Sequence, residues 1–534
     1  MESFQRSGPD FFYLAFALCA VVAVLGLSNP EYLEALAQAL TGTVFRALDW
    51  FFLGSVTAFV LLSLWLGFGR YGRRRLGHPE EEPEFSLGSW LGMLFAAGMG
   101  VGLLFWGVAE PVNHFAEPPV GEGGTAEAAA LSMQLTIFHW GLHAWGVYCF
   151  SALVLAYFGF RFGAPHLAGS PVRFTFSGRW VAPVAGFADL IAIVAVALGV
   201  AGSTGMGVMQ LQSGFHVVAG TSLESVAVSF AILGVLVAAY MTSAATGLKR
   251  GIKYLSNLNM GLALVLMLFL LIAGPTAFLL RSFFTGLGDY VSSFVSMSLQ
   301  LFPYQGPNQW TGRWLETWTL TNFIWWIAWA PFVGVFIARI SRGRTIREFV
   351  LGVLMVPTLF SLLWFVVFGG SAVYEEMFGT GGMIRLVQED MTAALFALFD
   401  LLPLSGVLAA LAITLVFIFL VTSLDSATFV LGMLTSQGSA NPPLRRRIAW
   451  GIGLGVLSAA LILSDNVHAI RAVLVTGAMP FILILLIQAV ALVRALRSEA
   501  VLTNIASSSE GTQTEAAAES ATQETGTAKS EEAA

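Results

Sequence analysis

The sequence predicts an all-α protein that crosses a membrane many times. Hydrophobic residues make up 57% of the 534-residue chain, and charged residues make up only 11%. A soluble protein needs about a quarter of its residues charged to cover its surface, so most of this surface must face lipid. A bilayer-crossing helix needs about 20 mostly apolar residues, and the chain contains twelve such stretches.

The twelve predicted spans are separated by connecting segments, of which the outer stretch 281–315 is long. They cover residues 11–28, 47–69, 87–109, 131–158, 183–212, 223–246, 256–280, 316–340, 348–370, 403–433, 448–464 and 472–494. Placing the N-terminus inside puts 21 of the 26 Lys and Arg residues in inner segments and 5 in outer ones. Because cytoplasmic loops carry such an excess, we expect a multi-pass inner-membrane protein with both termini cytoplasmic.

The third span contains a glycine run, Ala96 to Gly102, in which three glycines alternate with other residues. Each glycine in mid-helix costs about 1 kcal/mol relative to alanine. The alternation suits unwinding better than the four-residue spacing of helix-packing motifs. Since unwound backbone within a membrane is tolerated where it lines a cavity, the run predicts a broken helix that faces a ligand. Close helix packing is the alternative.

Aromatic residues cluster in two spans. In span 4, Trp140, Trp145 and Tyr148 fall within an arc of about 140° of the helix. Several aromatic faces around one volume can form a cation–π cage, which suits a quaternary ammonium; simple aromatic packing is the alternative. The rings of span 8 are Trp318, Phe323, Trp325, Trp326, Trp329 and Phe332.

A few polar residues lie in or beside the spans. His139 and His143 have the four-residue spacing of a helical metal pair, but no third ligand stands out, so we expect structural hydrogen bonds. Glu110 and Asp189 lie near span ends, where we expect them to be solvated. Asp425 is ionisable within span 10, which makes it a functional suspect. We expect it to act as a helix-packing or gating partner.

Other classes of protein fit the sequence poorly. The spans contain no nucleophile or metal-ligand constellation that would indicate a membrane-embedded enzyme. Rings of charge or a repeated carbonyl filter would indicate a channel, and neither is present. There is no basic excess for nucleic acid, because acidic residues outnumber basic ones by 32 to 26.

Four stretches resemble the betaine/choline/carnitine transporter family. They are GMGVG in span 3, FHWGLHAWGVY in span 4, WWIAWAPFVGVFIARISRGRTIREF from span 8 onwards, and TSLDSATFVLGM in span 10. The likeness covers about residues 11–494 in span count and order. It implies a secondary transporter, not an enzyme, that imports a quaternary-ammonium solute such as glycine betaine by alternating access. Proton-coupled choline uptake and carnitine-type precursor/product antiport are the alternatives.

The resemblance implies a leucine-transporter-type fold of two inverted five-helix repeats preceded by two extra helices, and a homotrimer. A basic tail that would dock on anionic lipid is not expected. The implied segments are a cytoplasmic N-terminus (1–10), two peripheral spans (11–86), repeat one (87–280), an outer-surface helix (281–315), repeat two (316–494) and a disordered acidic cytoplasmic tail (495–534).

The resemblance also implies which residues bind the substrate. The cage for the trimethylammonium head would consist of Trp140, Trp145, Tyr148 and Trp329, and the pathway beside it would be lined by Trp325 and Trp326. The substrate's other end would meet Gly98, Met99, Gly100 and Gly102. The glycine run has no acidic side chain, which favours a carboxylated zwitterion over choline.

One sodium ion is the implied coupling ion, and no other cofactor is expected. Its ligands would be the carbonyls of Ala96, Met99 and Phe419 and the hydroxyls of Thr422 and Ser423. Hydrogen bonding of these hydroxyls within their own helix is the alternative. Family members with a second sodium site carry two threonines where this chain has Val196 and Val200. Valine offers no oxygen, so a single cation site is expected.

Overall fold

The computed structural model describes residues 10–98, 100–220, 223, 225–246, 249–305 and 310–499. These residues form helices, and no β-strand occurs among them. Nine helices of this described part are long and apolar enough to cross a membrane. The predicted all-α class is therefore confirmed, whereas the count of twelve spans stays a prediction.

The helices follow one another along the chain. They are α1 (Phe12–Ser28), α2 (Pro30–Phe68), α3 (Leu87–Gly98), α4 (Val101–Ala116), α5 (Ala126–Trp140), α6 (Leu142–Phe162), α7 (Ser170–Thr175), α8 (Val181–Ala219), α9 (Val226–Thr246), α10 (Lys249–Ala273), α11 (Thr276–Ser298), α12 (Trp310–Leu315), α13 (Thr321–Ile340), α14 (Ile346–Phe378), α15 (Met383–Glu389), α16 (Ala394–Asp400), α17 (Ser405–Leu434), α18 (Leu444–Ile462), α19 (Val467–Ala478) and α20 (Phe481–Glu499). A π-helical turn, Glu316–Leu320, joins α12 to α13.

Helix α2 is longer than the span predicted within it. The side chain of Asn29 accepts a hydrogen bond from the Tyr32 N–H and caps the start of the helix, with Pro30 at its first position. The backbone kinks at Leu48 (φ −133°, ψ 19°), next to the start of the predicted span 47–69. Asn is favoured at the N-cap of a helix and Pro at its first position. Asn29 and Pro30 therefore indicate a helix start that hydropathy alone does not indicate.

The predicted span 256–280 is divided between two helices. Helix α10 ends at Ala273, and α11 begins at Thr276, directly after Pro275. Proline disfavours the helical conformation of the residue before it and lacks an N–H, which explains the break. Helix α11 occupies much of the region predicted to hold an outer-surface helix.

The last helix continues beyond residue 495, where the disordered tail is predicted to begin. Its final residue, Glu499, forms ion pairs with Arg74, at 3.0 Å, and with Arg161. The Tyr157 hydroxyl donates to the same carboxylate. These contacts fix the end of α20 against the segments that follow α2 and end α6. The rest of the predicted tail, from residue 500, and most of the predicted N-terminal segment lie outside the described residues.

Two connections on the same side of the bundle are tied together. The Leu76 N–H between α2 and α3 donates to the Arg344 carbonyl between α13 and α14, at 2.8 Å. Nearby, Glu81 pairs with Arg342. The backbone N–H of His78, and then the Arg342 side chain, lower the pKa of Glu81. The connection between α2 and α3 is therefore held against the connection between α13 and α14.

Asp189 is not solvated, contrary to the expectation from its place near a span end. Only 5% of its surface is exposed. Its carboxylate accepts hydrogen bonds from the Gly169 N–H and from Nη2 of Arg173, both at 2.7 Å. The expectation is wrong because α7 folds back against α8 and covers this carboxylate.

We predict that Asp189→Ala lowers the free energy of unfolding by about 1–3 kcal/mol, because it leaves buried donors without an acceptor. Thermal unfolding in detergent measures the change. Glu389→Ala is the control, since it removes an exposed i, i+4 pair with Arg385 and should cost less than about 0.5 kcal/mol. Equal effects of the two substitutions would contradict this account.

Candidate functional site

The glycine run interrupts a helix, as predicted. Helix α3 ends at Gly98 and α4 begins at Val101, with Gly100 extended between them (φ −155°, ψ 173°); Met99 lies outside the described residues. No side chain caps α4. The first N–H groups of a helix have no partner within it, so the start of α4 offers donors and a positive dipole end to a ligand.

Five of the six predicted aromatic residues form one cluster, with Trp326 at its centre. The ring centroid of Trp326 lies 5.3 Å from that of Trp140, 6.1 Å from Trp145 and 4.9 Å from Tyr148. Trp325 joins from the other side, 6.4 Å from Trp140 at an interplanar angle of 74°. The cluster unites α5, α6 and α13, and we refer to these five rings as the aromatic cluster.

The sixth predicted residue, Trp329, is not in ring contact with the aromatic cluster. Among the described residues its aromatic neighbour is Phe332, at 5.5 Å. It faces α8, where a Cβ built on Gly199 would lie 3.5 Å from the Trp329 ring. Trp325 and Trp329 share a helix face, but one turn of α13 separates them in depth.

The helix break and the aromatic cluster are adjacent. A Cβ on Gly102 would lie only 3.2 Å from Cη2 of Trp140. The first turn of α4 therefore rests against the six-membered ring of that indole. A ligand in contact with this ring would also reach the start of α4.

Glu110 is a buried site residue, contrary to the expectation from its place near a span end. It is 1% exposed, and its Oε2 accepts a hydrogen bond from Nε1 of Trp140 at 2.8 Å. Its Oε1 accepts from Nδ1 of His139 at 2.7 Å and from Nε2 of His114 at 3.3 Å. The expected solvation is wrong because α4 continues to Ala116, well beyond the predicted end of the span. Glu110 lies one position past the predicted span 87–109. This position is the feature of the sequence that could have identified it, because ionisable residues within a membrane are functional candidates.

His139 and His143 do not share a ligand, which agrees with the expected structural hydrogen bonds. Nε2 of His139 is 2.9 Å from Oγ1 of Thr319. Nε2 of His143 lies 3.3 Å from Oγ1 of Thr57 and 3.2 Å from Oγ of Ser298. The two rings are thus held by different parts of the bundle.

A different trio, Glu110, His114 and His139, could geometrically hold a metal ion, since their ligand atoms lie within 4.8 Å of one another. Their direct hydrogen bonds already account for this grouping. The Arg471 guanidinium also interacts electrostatically with Glu110 and His114, and its positive charge opposes a second cation. The trio is therefore better described as a hydrogen-bonded network.

Arg471 is buried, although it lies one residue before the predicted span 472–494. It lies in α19 and is 2% exposed. Its guanidinium carbon is 4.9 Å from the ring centroid of Trp106 and 5.1 Å from that of Trp318. The predicted span 472–494 begins five residues after the helix does, because α19 starts at Val467 and ends before Pro480.

Helix α17, which carries three of the predicted sodium ligands, lies close to the helix break. A Cβ on Gly207 would lie 2.9 Å from Leu420 and 3.2 Å from Val101, so this turn of α17 and the start of α4 meet at one point of α8. Oγ1 of Thr422 donates to the carbonyls of Ile418, at 2.9 Å, and Phe419, at 3.2 Å.

Two of the other predicted sodium ligands lie on α17 and α3. Ser423 is half-buried in α17, Ala96 belongs to α3, and Met99 lies outside the described residues. At the position of a second sodium site, Val196 and Val200 are buried and supply no side-chain oxygen. Asp425 is 6% exposed.

We predict that Gly102→Ala weakens ligand binding at the aromatic cluster, because the added methyl group pushes against Trp140. Overpacking of this kind costs about 1–3 kcal/mol, which corresponds to about 5- to 150-fold in dissociation constant. Titration of intrinsic tryptophan fluorescence measures it. Gly92→Ala in α3 is the control, since nothing lies within 4 Å of its Cβ. A shift of the same size in both variants would contradict the proximity argument.

The chain is similar to known transporters over most of its length. The chain is 40% identical to "Glycine betaine transporter OpuD" of Bacillus subtilis, over 91% of this chain and 94% of the relative. It is 39% identical to "Ectoine/hydroxyectoine transporter" of Virgibacillus pantothenticus, over 93% and 98%. Identity to "High-affinity choline transport protein" of Escherichia coli is 36%, over 93% and 73%.

The family profile described as "BCCT, betaine/carnitine/choline family transporter" matches residues 10–501. This match covers every described helix and agrees with the resemblance carried by the four sequence motifs. Members of this family are transporters and not enzymes, and the apolar helices agree with a multi-pass membrane protein. The chain belongs to the betaine/carnitine/choline transporter family.

Proposed function

We propose that the chain is a secondary active transporter that imports a quaternary-ammonium compatible solute, with glycine betaine as its main substrate. The observation that carries the proposal is the aromatic cluster beside the helix break. Relatives named for glycine betaine, ectoine and choline support the substrate class. Proton-coupled choline uptake and carnitine-type precursor/product antiport are the alternative functions.

The aromatic cluster suits a trimethylammonium group. In a cation–π interaction the cation lies within about 6 Å of the ring centroid. Two perpendicular rings whose centroids each lie about 4.5 Å from one shared cation have those centroids about 6.4 Å apart. Trp140 and Trp325 are 6.4 Å apart at 74°. Trp145 and Trp326 are 6.1 Å apart at 54°. Trp326 is held in place because its Nε1 donates to Oδ1 of Asn322 at 2.7 Å.

The break beside the cluster suits a carboxylate. Helix α4 begins with uncapped N–H groups at Val101 and Gly102, and helix N-termini favour anions. Choline has a hydroxyl where glycine betaine has a carboxylate, so it would use these donors less well. The start of α4 therefore favours glycine betaine among the candidate substrates.

We propose one sodium ion as the coupling ion, bound between the break and α17. Its ligands would be the carbonyls of Ala96, Met99 and Phe419 and the hydroxyls of Thr422 and Ser423. The closeness of α17 to the start of α4 supports this position. Proton coupling through Asp425 is the second candidate, since a buried carboxylate within a span is suited to carry a proton; Arg447 is its charged neighbour.

The larger arrangement is also a proposal. Twelve spans would form two inverted five-helix repeats, here the third to seventh and eighth to twelfth predicted spans. The pair of predicted spans before them would lie outside the repeats. Both termini would be cytoplasmic in the inner membrane, and three protomers, each with its own pathway, would assemble. The bundle of predicted spans 3, 4, 8 and 9 would rock against the rest to alternate access.

Uptake of radiolabelled glycine betaine into proteoliposomes tests the substrate. We expect Trp325→Ala to raise the half-saturating concentration about 3- to 30-fold, the cost of one cation–π interaction of about 0.5–2 kcal/mol. Trp50→Ala, which removes a 60% exposed ring of α2, should leave uptake unchanged. Absence of uptake in the unmodified protein under every ion gradient would reject glycine betaine as the substrate.

The coupling ion is tested by replacing Thr422 with valine. We expect Thr422→Val to raise the sodium concentration for half-maximal uptake roughly tenfold or more, because an oxygen ligand to a charged group is lost. Thr414→Val is a matched control in the same helix. Its hydroxyl donates to the Ala410 carbonyl at 2.8 Å, as Thr422 does to Ile418. Uptake that follows a proton gradient alone would overturn the sodium proposal.

A further inference from the structure

We infer that Glu110 is a positioning residue for the substrate cage and acts through the indole N–H of Trp140. This inference rests on the proposed function, because it assigns a role to a residue behind the proposed site. Glu110 does not belong to the aromatic cluster. Its carboxylate instead sets the orientation of one wall of that cluster.

Trp140 is held at both ends of its ring system. At one end, Nε1 donates to Oε2 of Glu110 at 2.8 Å. At the other end, Cη2 and Cζ3 lie 3.2 Å and 3.7 Å from the position of a Cβ on Gly102. An indole has a single N–H donor, so the hydrogen bond to Glu110 selects one of the two faces that the ring could turn toward the cage.

The carboxylate is itself held in place. Its other oxygen accepts from His139 and His114, and His139 is in turn hydrogen-bonded to Thr319 in the π-helical turn before α13. Hydrogen bonds to an ionised acceptor are about twice as strong as neutral ones. Glu110 thus connects α4 and α5 with the turn that leads into α13, the helix that carries Trp325 and Trp326.

The charge of Glu110 also favours a cationic ligand. A carboxylate at the N–H edge of an indole polarises the ring, and a more negative ring face attracts an ammonium group more strongly. The buried cation nearby is Arg471, which lies over Trp106 and Trp318 and not over a ring of the aromatic cluster. Glu110 and Arg471 attract each other, and the Trp106 ring under the guanidinium lies 6.1 Å from Trp325.

A double-mutant cycle tests the inference, with the dissociation constant for glycine betaine measured by calorimetry. Glu110→Gln alone should weaken binding about tenfold, since a charge-assisted hydrogen bond becomes a neutral one. In the Trp140→Phe background, which lacks the N–H, the same substitution should change the constant less than about twofold. Equal effects of Glu110→Gln in both backgrounds would overturn the inference, because Glu110 would then act without Trp140.

His143→Gln is the matched control for a merely structural role. His143 is as deeply buried as Glu110, but it is bonded to Thr57 and Ser298. Its effect on binding should be the same with Trp140 and with Trp140→Phe, so the two substitutions should be additive. Non-additivity of the same size as that of Glu110 would overturn the specific role of the carboxylate.

A spectroscopic measurement covers the case in which Glu110→Gln does not fold. The indole N–H signal of Trp140, assigned by its loss in Trp140→Phe, should exchange slowly with deuterated water in the unmodified protein. Exchange as fast as that of the exposed Trp50 would overturn the inference. Failure of the unmodified protein to bind glycine betaine would instead overturn the proposed function, so the two failures are distinguishable.

Discussion

A hydrocarbon bilayer offers no hydrogen-bond partner to a backbone N–H or C=O group, so a chain can leave the helical conformation only where protein or a cavity satisfies the freed groups. This constraint explains where the site lies. At the break before α6, the Tyr290 hydroxyl accepts from the Leu142 N–H at 3.0 Å. Beside the break before α4, Nε1 of Trp364 donates to the Leu103 carbonyl at 2.9 Å. The α4 break and the α5–α6 junction both border the aromatic cluster.

A second constraint concerns buried charge. A carboxylate or guanidinium removed from water is costly unless it is paired and hydrogen-bonded. Glu110 satisfies this requirement with three donors. The Arg471 guanidinium lies over two indole faces and is attracted by Glu110, while its Nε and Nη1 atoms have no hydrogen-bond partner among the described residues. The network therefore joins α4, α5 and α19 at one level of the bundle. Whatever moves these helices relative to one another during transport must also move the wall formed by Trp140.

Local patterns predicted much of the site. The alternate glycines from Gly98 to Gly102 predicted a helix break that the structure contains, because each glycine in mid-helix is destabilising relative to alanine. The aromatic residues of span 4 and span 8 form one cluster because each set lies on the face of its helix that packs against the other span. Trp329 differs, since helical periodicity gives the face of a residue but not its depth, and depth depends on how α13 packs against α8.

Other features depend on tertiary contacts that no local pattern contains. Hydropathy ended the third span at residue 109 and began the last at 472, so it left Glu110 and Arg471 outside the membrane although each lies within a buried helix. Asp189 was misjudged for a different reason, because it lies inside the predicted span 183–212 but the short helix α7 that covers it has no hydropathy signal. The breaks at Pro275 and Pro480 were visible in the sequence, but apolar length outweighed them in the span prediction.

The central claim is that the aromatic cluster and the start of α4 hold the two ends of one zwitterion. The most direct measurement is a structure with trimethylarsonioacetate, the arsenic analogue of glycine betaine, located by anomalous scattering. We expect an arsenic peak within about 6 Å of the ring centroids of Trp140 and Trp325, with the carboxylate at the N–H groups of Val101 and Gly102. A peak elsewhere, for example in the cavity of about 230 Å³ beside Phe138 and Trp314, would contradict it.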